Sequence, residues 1–350
     1  MMRIWRGRRC AIVFASLVAV SVVVLSLLAA FAAATVAADE ELRFFRIGTG
    51  STSGTYFPVG GIIASAISNP PGSRSCDKGG SCGVPGLIAV AQSTEGSVAN
   101  VLSIQSGGLD SGFSQSDVAY WAYHGEELFS ELGPQSSLRS IANLFPESVQ
   151  IVVGRTAGIT RIADLKGKRI SIDREGSGTR ADALLILRAF GLGPENMDLV
   201  SLSLGDASDM MRAGELDGLI VVAGMPTNGV TQLADESLVT LVSFTAEESE
   251  KLIEAYPFFS MSTVPSGLYF NVPYSTTLAV GAQWLVSSEI DEEMVYQITS
   301  SLWHGTLQKL LDEGHRQGQH ISLETALEGV SSPPLHPGAE RFYREKGMLP

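Results

Sequence analysis

The sequence predicts an α/β protein of two lobes, each built on an open sheet. Three observations carry this. The body 39–350 is too long for one ordinary core, and no second hydrophobic span interrupts it. Strand-like and helix-like patterns alternate along it, as open α/β sheets require. Several strands end in a Ser/Thr/Gly turn that opens a helix, the place where ligands of open α/β sheets sit.

Each element follows in order. The run 43–49 (RFFRIGT) reads as the first strand and 60–68 (GGIIASAIS) as a helix. The apolar run 86–93, bounded by Gly and Ser, is a buried strand. Val98, Val101, Leu102 and Gln105 give 95–107 a helix spacing, and Gly107 stops it. A short strand at 111–115 leads into a helix at 116–125, where Trp121 and Tyr123 are packing residues. Two strands, 138–145 and 148–155, flank Pro146. A second unit opens with a small helix, a Lys/Gly turn and a strand over 159–173. The segment 176–192 is a helix, with Thr179 and Asp182 as a capping box and Gly191 as its stop. Strand 197–204, helix 207–215 and strand 216–224 continue the alternation. A β segment is expected at 266–280, and an amphipathic helix at 335–347.

Residues 1–38 stand apart. Arg3, Arg6, Arg8 and Arg9 precede an uncharged run that ends in small residues at 32–38. This is the pattern of a secretory signal, with cleavage expected after Ala38 and an uncleaved anchor as the alternative. The body is then periplasmic. The net formal charge is −13 and the leader's charges are all positive, so the body is more acidic still and is not a nucleic-acid binder. Cys76 and Cys82 bracket a polar glycine-rich loop, and in an exported chain they read as a disulfide. A metal site there needs two further ligands, and no His or other Cys lies within thirty residues.

Catalytic patterns are sparse in the sequence. His124, His304, His315, His320 and His336 form no H-E-x-x-H, and no phosphate-binding G-x-x-x-x-G-K-[ST] occurs. The single G-x-S-x-G, at 79–83, lies in the cysteine loop and not at a strand-to-helix turn. Gly48, Gly50 and Gly54 miss the dinucleotide spacing by one residue, and SNPPGS stands where its acidic residue belongs. Ser177 lies in G-S-G without a local acid–base partner; partners need not be local, so an exported serine hydrolase remains the enzymatic alternative. No catalytic residue, metal or cofactor is expected.

The polar turns at 49–56, 92–97, 114–117 and 175–179 offer hydroxyls and unpaired N–H groups at helix starts, which attract anions. One such turn is ordinary capping, but four read as the wall of a pocket. At these turns the sequence resembles the TAXI family of TRAP-associated extracytoplasmic solute receptors. The matching blocks are IGTGSTSGTYFPVGG, STEGSVANVLSIQSGGLDSGFSQSDVAYWAYHG, IADLKGKRISIDREGSGTRADALLILRAFGL and LHPGAERFYREKG. The resemblance implies a two-lobed periplasmic binding protein of type II topology, with the ligand cleft between its lobes. It implies a monomeric receptor that captures a small organic acid, glutamate- or 2-oxoglutarate-like, and delivers it to TRAP membrane permease subunits. An extracytoplasmic sensing domain without transport is the other reading. Lobe 1 is expected over 39–150 plus about 266–350 and lobe 2 over 151–265, with a hinge near 146–155 and a return after Gly224.

The implied ligand-binding residues are Gly50, Thr52, Gly54 and Tyr56 from the first turn, then Thr94, Ser97 and Gln115. Ser177, Gly178 and Thr179 face them from the other lobe. A carboxylate accepts from the Ser177–Thr179 helix start. Tyr56 gives an apolar wall and one hydroxyl, and Gln115 both donates and accepts. Arg180 is a candidate carboxylate partner, with a solvated surface arginine as the plain alternative.

Overall fold

The computed structural model describes residues 42–350, so the expected signal peptide lies outside the described residues. Strand β1 (Arg43–Gly48) leads to helix α1 (Tyr56–Ile67) and a small pair of strands, β2 (Ser68–Asn69) and β3 (Val84–Pro85). Then come β4 (Leu87–Gln92), α2 (Ser97–Gln105), β5 (Ser111–Gln115) and α3 (Ser116–His124). The long strand β6 (Leu138–Gly154) follows, and then β7 (Arg169–Ser171), α4 (Gly178–Ala189), β8 (Asp198–Val200) and α5 (Leu204–Arg212). Next are β9 (Gly218–Ala223), α6 (Asn228–Asp235), β10 (Val239–Val242), α7 (Ala246–Ala255) and β11 (Ser260–Val264). The chain returns through the second long strand, β12 (Ser275–Ser287), and closes with α8 (Glu292–Leu302), α9 (Gly305–Gly314) and α10 (Pro337–Glu345).

The strands order as β4-β1-β5-β12-β6-β9-β7-β8, with β10 on β6 and β11 on β12. In the first lobe β1 is parallel to β4 and β5; in the second β7 is parallel to β8 and β9. The antiparallel pair β6/β12 joins them. Leu138–Ser148 of β6 pair with β12, and the next residues pair with β9 and β10. Likewise β12 pairs with β11 at its start and with β5 at its end. Two strands thus pass from one lobe into the other, which gives the two-lobed α/β fold.

Several expected elements differ. The strand expected at 197–204 is only Asp198–Val200, and the helix expected at 207–215 already starts at Leu204, capped by Ser203. β6 is one continuous strand rather than two, because Pro146 occupies a tolerated place. It pairs with Gly281 on one side, before β9 pairing begins at Ser148, so no ladder bond is lost on the other. Helix α1 starts four residues earlier than expected, since Pro58 falls within its first turn, where a missing N–H costs nothing. The β segment placed at 266–280 begins at Ser275. Before it, Tyr269 is buried; its hydroxyl donates to Gln150 Oε1 (2.6 Å) and accepts from Thr227 N–H (2.8 Å).

The first lobe buries Phe45, Ile47, Phe113, Phe145, Trp284 and Tyr343 on one sheet face, and the second buries Leu219, Val230, Leu233 and Tyr269. A third cluster runs across both, from Val118 and Leu138 through Ile151 to Ile170 and Ile186. Cys76 and Cys82 are disulfide-bonded. The fold also brings His304 beside them, but its Nδ1 accepts from Thr306 N–H at the start of α9, and the bonded sulfurs are not thiolates. The loop they close is short, so the chain-entropy model gives about 2 kcal/mol. The double variant Cys76→Ser/Cys82→Ser should lose about that much unfolding free energy in a urea titration.

Candidate functional site

A cavity of about 60 Å³ lies between the lobes, at the sheet's crossing strands. The first lobe lines it with the turn after β1 (Gly50, Ser51, Gly54), Tyr56 at the start of α1, and Ser97 at the start of α2. Gln115, at the β5–α3 junction, and Glu147, in the crossing strand β6, also line it, with Thr55, Glu95 and Gly96. The second lobe supplies Ser177, Gly178 and Thr179 at the start of α4, Asp173, and the apolar residues Leu204 and Val221–Ala223. Three helix N-termini therefore converge on one space. Each brings unpaired N–H groups and the positive end of its dipole.

The local sequence makes this possible. Ser177 caps α4: its Oγ accepts from Arg180 N–H at 3.0 Å. The expected Thr179/Asp182 capping box does not form. Thr179 Oγ1 accepts from Val222 N–H (3.0 Å), tying α4 to β9, and Asp182 turns into the interior. Gly178 is required by closeness: a Cβ there would stand 1.5 Å from Gln115 Oε1 and 2.7 Å from Ser97 Oγ. Gly96 has φ +117°, a conformation that glycine alone adopts freely.

The lobes touch around the cavity. Ala99 N–H donates to Gly176 O (2.9 Å), Thr55 Oγ1 to Gly224 O (2.8 Å), and Gln115 Nε2 to Asp182 Oδ2 (3.1 Å). At the rim Arg174 bridges Glu95 and Asp206. This is a closed arrangement.

The electrostatics are unusual for so acidic a lining. Glu147 is 2 % exposed and accepts from the Tyr56 hydroxyl at 2.6 Å. Burial, helped by nearby Asp117, pushes its carboxyl up to about 8, against the pull of the Tyr56 hydrogen bond. Glu147 is therefore mostly neutral at pH 7. Burial likewise raises Asp173 to about 6 and Tyr56 well above its ordinary range. No Lys, Arg or His lines the cavity. An anion placed here meets N–H dipoles and hydroxyls rather than a guanidinium, with the carboxyls of Asp173 and Glu95 also on the lining.

Of the residues implied by the sequence, Gly50, Gly54, Tyr56, Ser97, Gln115, Ser177, Gly178 and Thr179 line the cavity together. Thr52 and Thr94 do not. Thr52 is exposed, and Thr94 Oγ1 bonds Thr49 O (2.9 Å) and Asn100 Oδ1 (2.7 Å), holding the turn rather than facing the space. Arg180 also stands outside the lining; its guanidinium donates to Ser201 Oγ at 2.7 Å. Sequence reasoning missed Glu147, Asp173, Asp117 and Asp182. For Glu147 a signal existed: one carboxylate inside the apolar run NLFPESVQIVV. Asp182 was hidden by its ordinary place near a helix start.

The family model described as NMT1-like family matches residues 47–347. The chain belongs to the NMT1-like family. That match overturns the expected membership of the TAXI family of TRAP-associated receptors. The quoted blocks are Gly/Ser/Thr helix starts, which any fold with helix N-termini at its strand ends requires. Such blocks report backbone geometry, not the permease a receptor serves. Solved structures similar to this NMT1-like chain include the alkanesulfonate-binding protein SsuA from Xanthomonas axonopodis pv. citri bound to MOPS. It is 17% identical, over 87% of this chain and 84% of that one, with TM-score 0.47. PhnD1 from Prochlorococcus marinus (MIT 9301) in complex with methylphosphonate is 10% identical, over 87% and 99%, with TM-score 0.48. An ancestral arginine-binding protein bound to arginine is 13% identical, over 78% and 99%, with TM-score 0.46. Among the described residues no helix is long and apolar enough to cross a membrane.

Proposed function

We propose that this NMT1-like protein is a non-enzymatic, extracytoplasmic solute receptor. It captures a small carboxylate-bearing solute between its lobes and passes it to a membrane transporter. One observation carries the reading: the starts of α1, α2 and α4, drawn from both lobes, meet on a single buried cavity. Helix N-termini favour an anionic group, and contacts from both lobes make the closed state the one the solute selects. Neutral Glu147 supports the same choice, because a protonated carboxyl does not repel a carboxylate and can donate to it. The cavity's size favours a small solute. We place the hinge in the two crossing strands, near Ser148 of β6 and Ala279 of β12, so that the return lies after 266 within β12. The hydrolase reading is the weaker one: Asp173 lies within hydrogen-bond reach of Ser177, but Ser177 Oγ serves as a cap and no histidine lines the cavity.

The test is a thermal-shift screen of amino acids, 2-oxo acids, dicarboxylates, alkanesulfonates and methylphosphonate. A carboxylate present at a hundredfold its Kd should stabilise the protein by about 2.7 kcal/mol. Stabilisation by sulfonates or phosphonates alone, or by nothing in the panel, would sink the carboxylate reading.

A further inference from the structure

Asp117, at the start of α3 in the first lobe, and Asp182, on α4 in the second, are both 0 % exposed. They meet across the lobe contact behind the cavity, with their side chains within hydrogen-bond reach of each other. As two carboxylates, neither can donate. Asp117 Oδ1 and Oδ2 and Asp182 Oδ1 are then buried without partners. Burying one uncompensated charge is costly, and burying two in contact is worse. Among the described residues neither aspartate has an ion pair; backbone N–H groups at the start of α3, of Asp117 itself and of Val118, favour the charged form of Asp117, but burial outweighs them. Glu147 on β6 and Tyr56 on α1 face the pair without positive charge. Gln115, from the β5–α3 junction, gives a single N–H to Asp182 Oδ2, at 3.1 Å. A single proton resolves this, because O–H···O⁻ turns the contact into a charge-assisted hydrogen bond.

We propose that the lobes close onto one proton shared between Asp117 and Asp182, so that solute capture takes up a proton and release returns it. The proposal rests on the lobe closure argued above but not on the chemistry of the solute. The two residues belong to different lobes, so opening separates them and hydrates both. Each then returns to an ordinary carboxylate, ionised at neutral pH. Closed, burial raises both. The sign follows from that. A group held above its open-state value favours the closed state at low pH, and the advantage is lost as pH rises through the closed-state value. Asp182 also fixes the amide of Gln115, a cavity residue, so the shared proton sets how that residue is presented to the solute.

The experiment is small-angle X-ray scattering of the protein with no solute added, read as the closed-to-open ratio across pH. In the wild type the ratio should fall by up to about tenfold per pH unit above the open-state carboxylate range, then level off. In Asp117→Asn, and separately in Asp182→Asn, an amide donates to the remaining carboxylate at every pH, so the slope from this pair should vanish. A flat wild-type profile overturns the proposal whatever the variants do. So does a wild-type slope that persists in both variants, which would assign the titration to Glu147 or Asp173. A ratio set by sodium concentration at fixed pH and ionic strength would also overturn it, since a cation would then fill the proton's place. Because no solute is added, a failed solute screen leaves this result readable.

Discussion

Gly178→Ala should weaken solute binding by about ten- to a hundredfold without lowering the stability of the solute-free protein. The new methyl would collide with Gln115 Oε1 and Ser97 Oγ, and both belong to the opposite lobe. Gln115 is 2 % exposed, so its side chain has little room to yield. Overpacking of this kind costs about 1–3 kcal/mol, and every 1.4 kcal/mol is about tenfold in affinity. The cost falls on the closed state alone. With the lobes apart the clash disappears, and alanine in a helix is, if anything, preferred over glycine. Calorimetric titration with a solute from the thermal-shift screen, beside a urea titration of the solute-free protein, separates the two effects. Unchanged affinity would mean that the closed arrangement is not the binding state. A loss of stability would mean that the contact belongs to folding and not to closure.

Trp284→Ala should remove about 3–5 kcal/mol of unfolding free energy. Trp284 is fully buried in β12, packs edge-on to Phe113 with ring centroids 6.1 Å apart, and donates through Nε1 to Ser111 Oγ at 3.1 Å. Its removal opens a cavity in the first lobe's core and leaves a buried hydroxyl without its donor. It also loosens the strand that carries the chain from one lobe to the other. In urea the midpoint should drop sharply while the slope stays near that of the wild type, because the folded surface is unchanged. A loss below about 1 kcal/mol would show that the core collapses around the site.

The two predictions draw on different kinds of information. The apolar character of β12 is local, yet the residues alone place its strand at 266–280 rather than at Ser275–Ser287. The starts of α2, α3, α4 and α10 could be read from the residues to within two residues, because a cap and a glycine stop are local features. The turn at 49–56 could be assigned to a pocket because its hydroxyls and glycines are contiguous in the chain. The start of α4, more than a hundred residues away, has the same local chemistry and was legible for the same reason. Thr52, Thr94 and Arg180 show where that reasoning fails. They are as polar as their neighbours, and only the direction of each side chain keeps them out of the cavity. Pro146 shows the same limit in the backbone: its tolerance depends on which side of the strand is paired at that residue.

The sequence by itself determined the alternation of elements, the two-lobe size, the cysteine pair and eight of the cavity residues. Each is a matter of short-range pattern or composition. The tertiary structure alone decided what lies beneath the pocket. Glu147 is an ordinary glutamate until β6 carries it under Tyr56, and Asp117 and Asp182 are ordinary helix-start residues until the lobes press them together. The physical reason is burial. The protonation of a carboxyl depends on what surrounds it in space, and the groups that surround these three come from segments far apart in the chain.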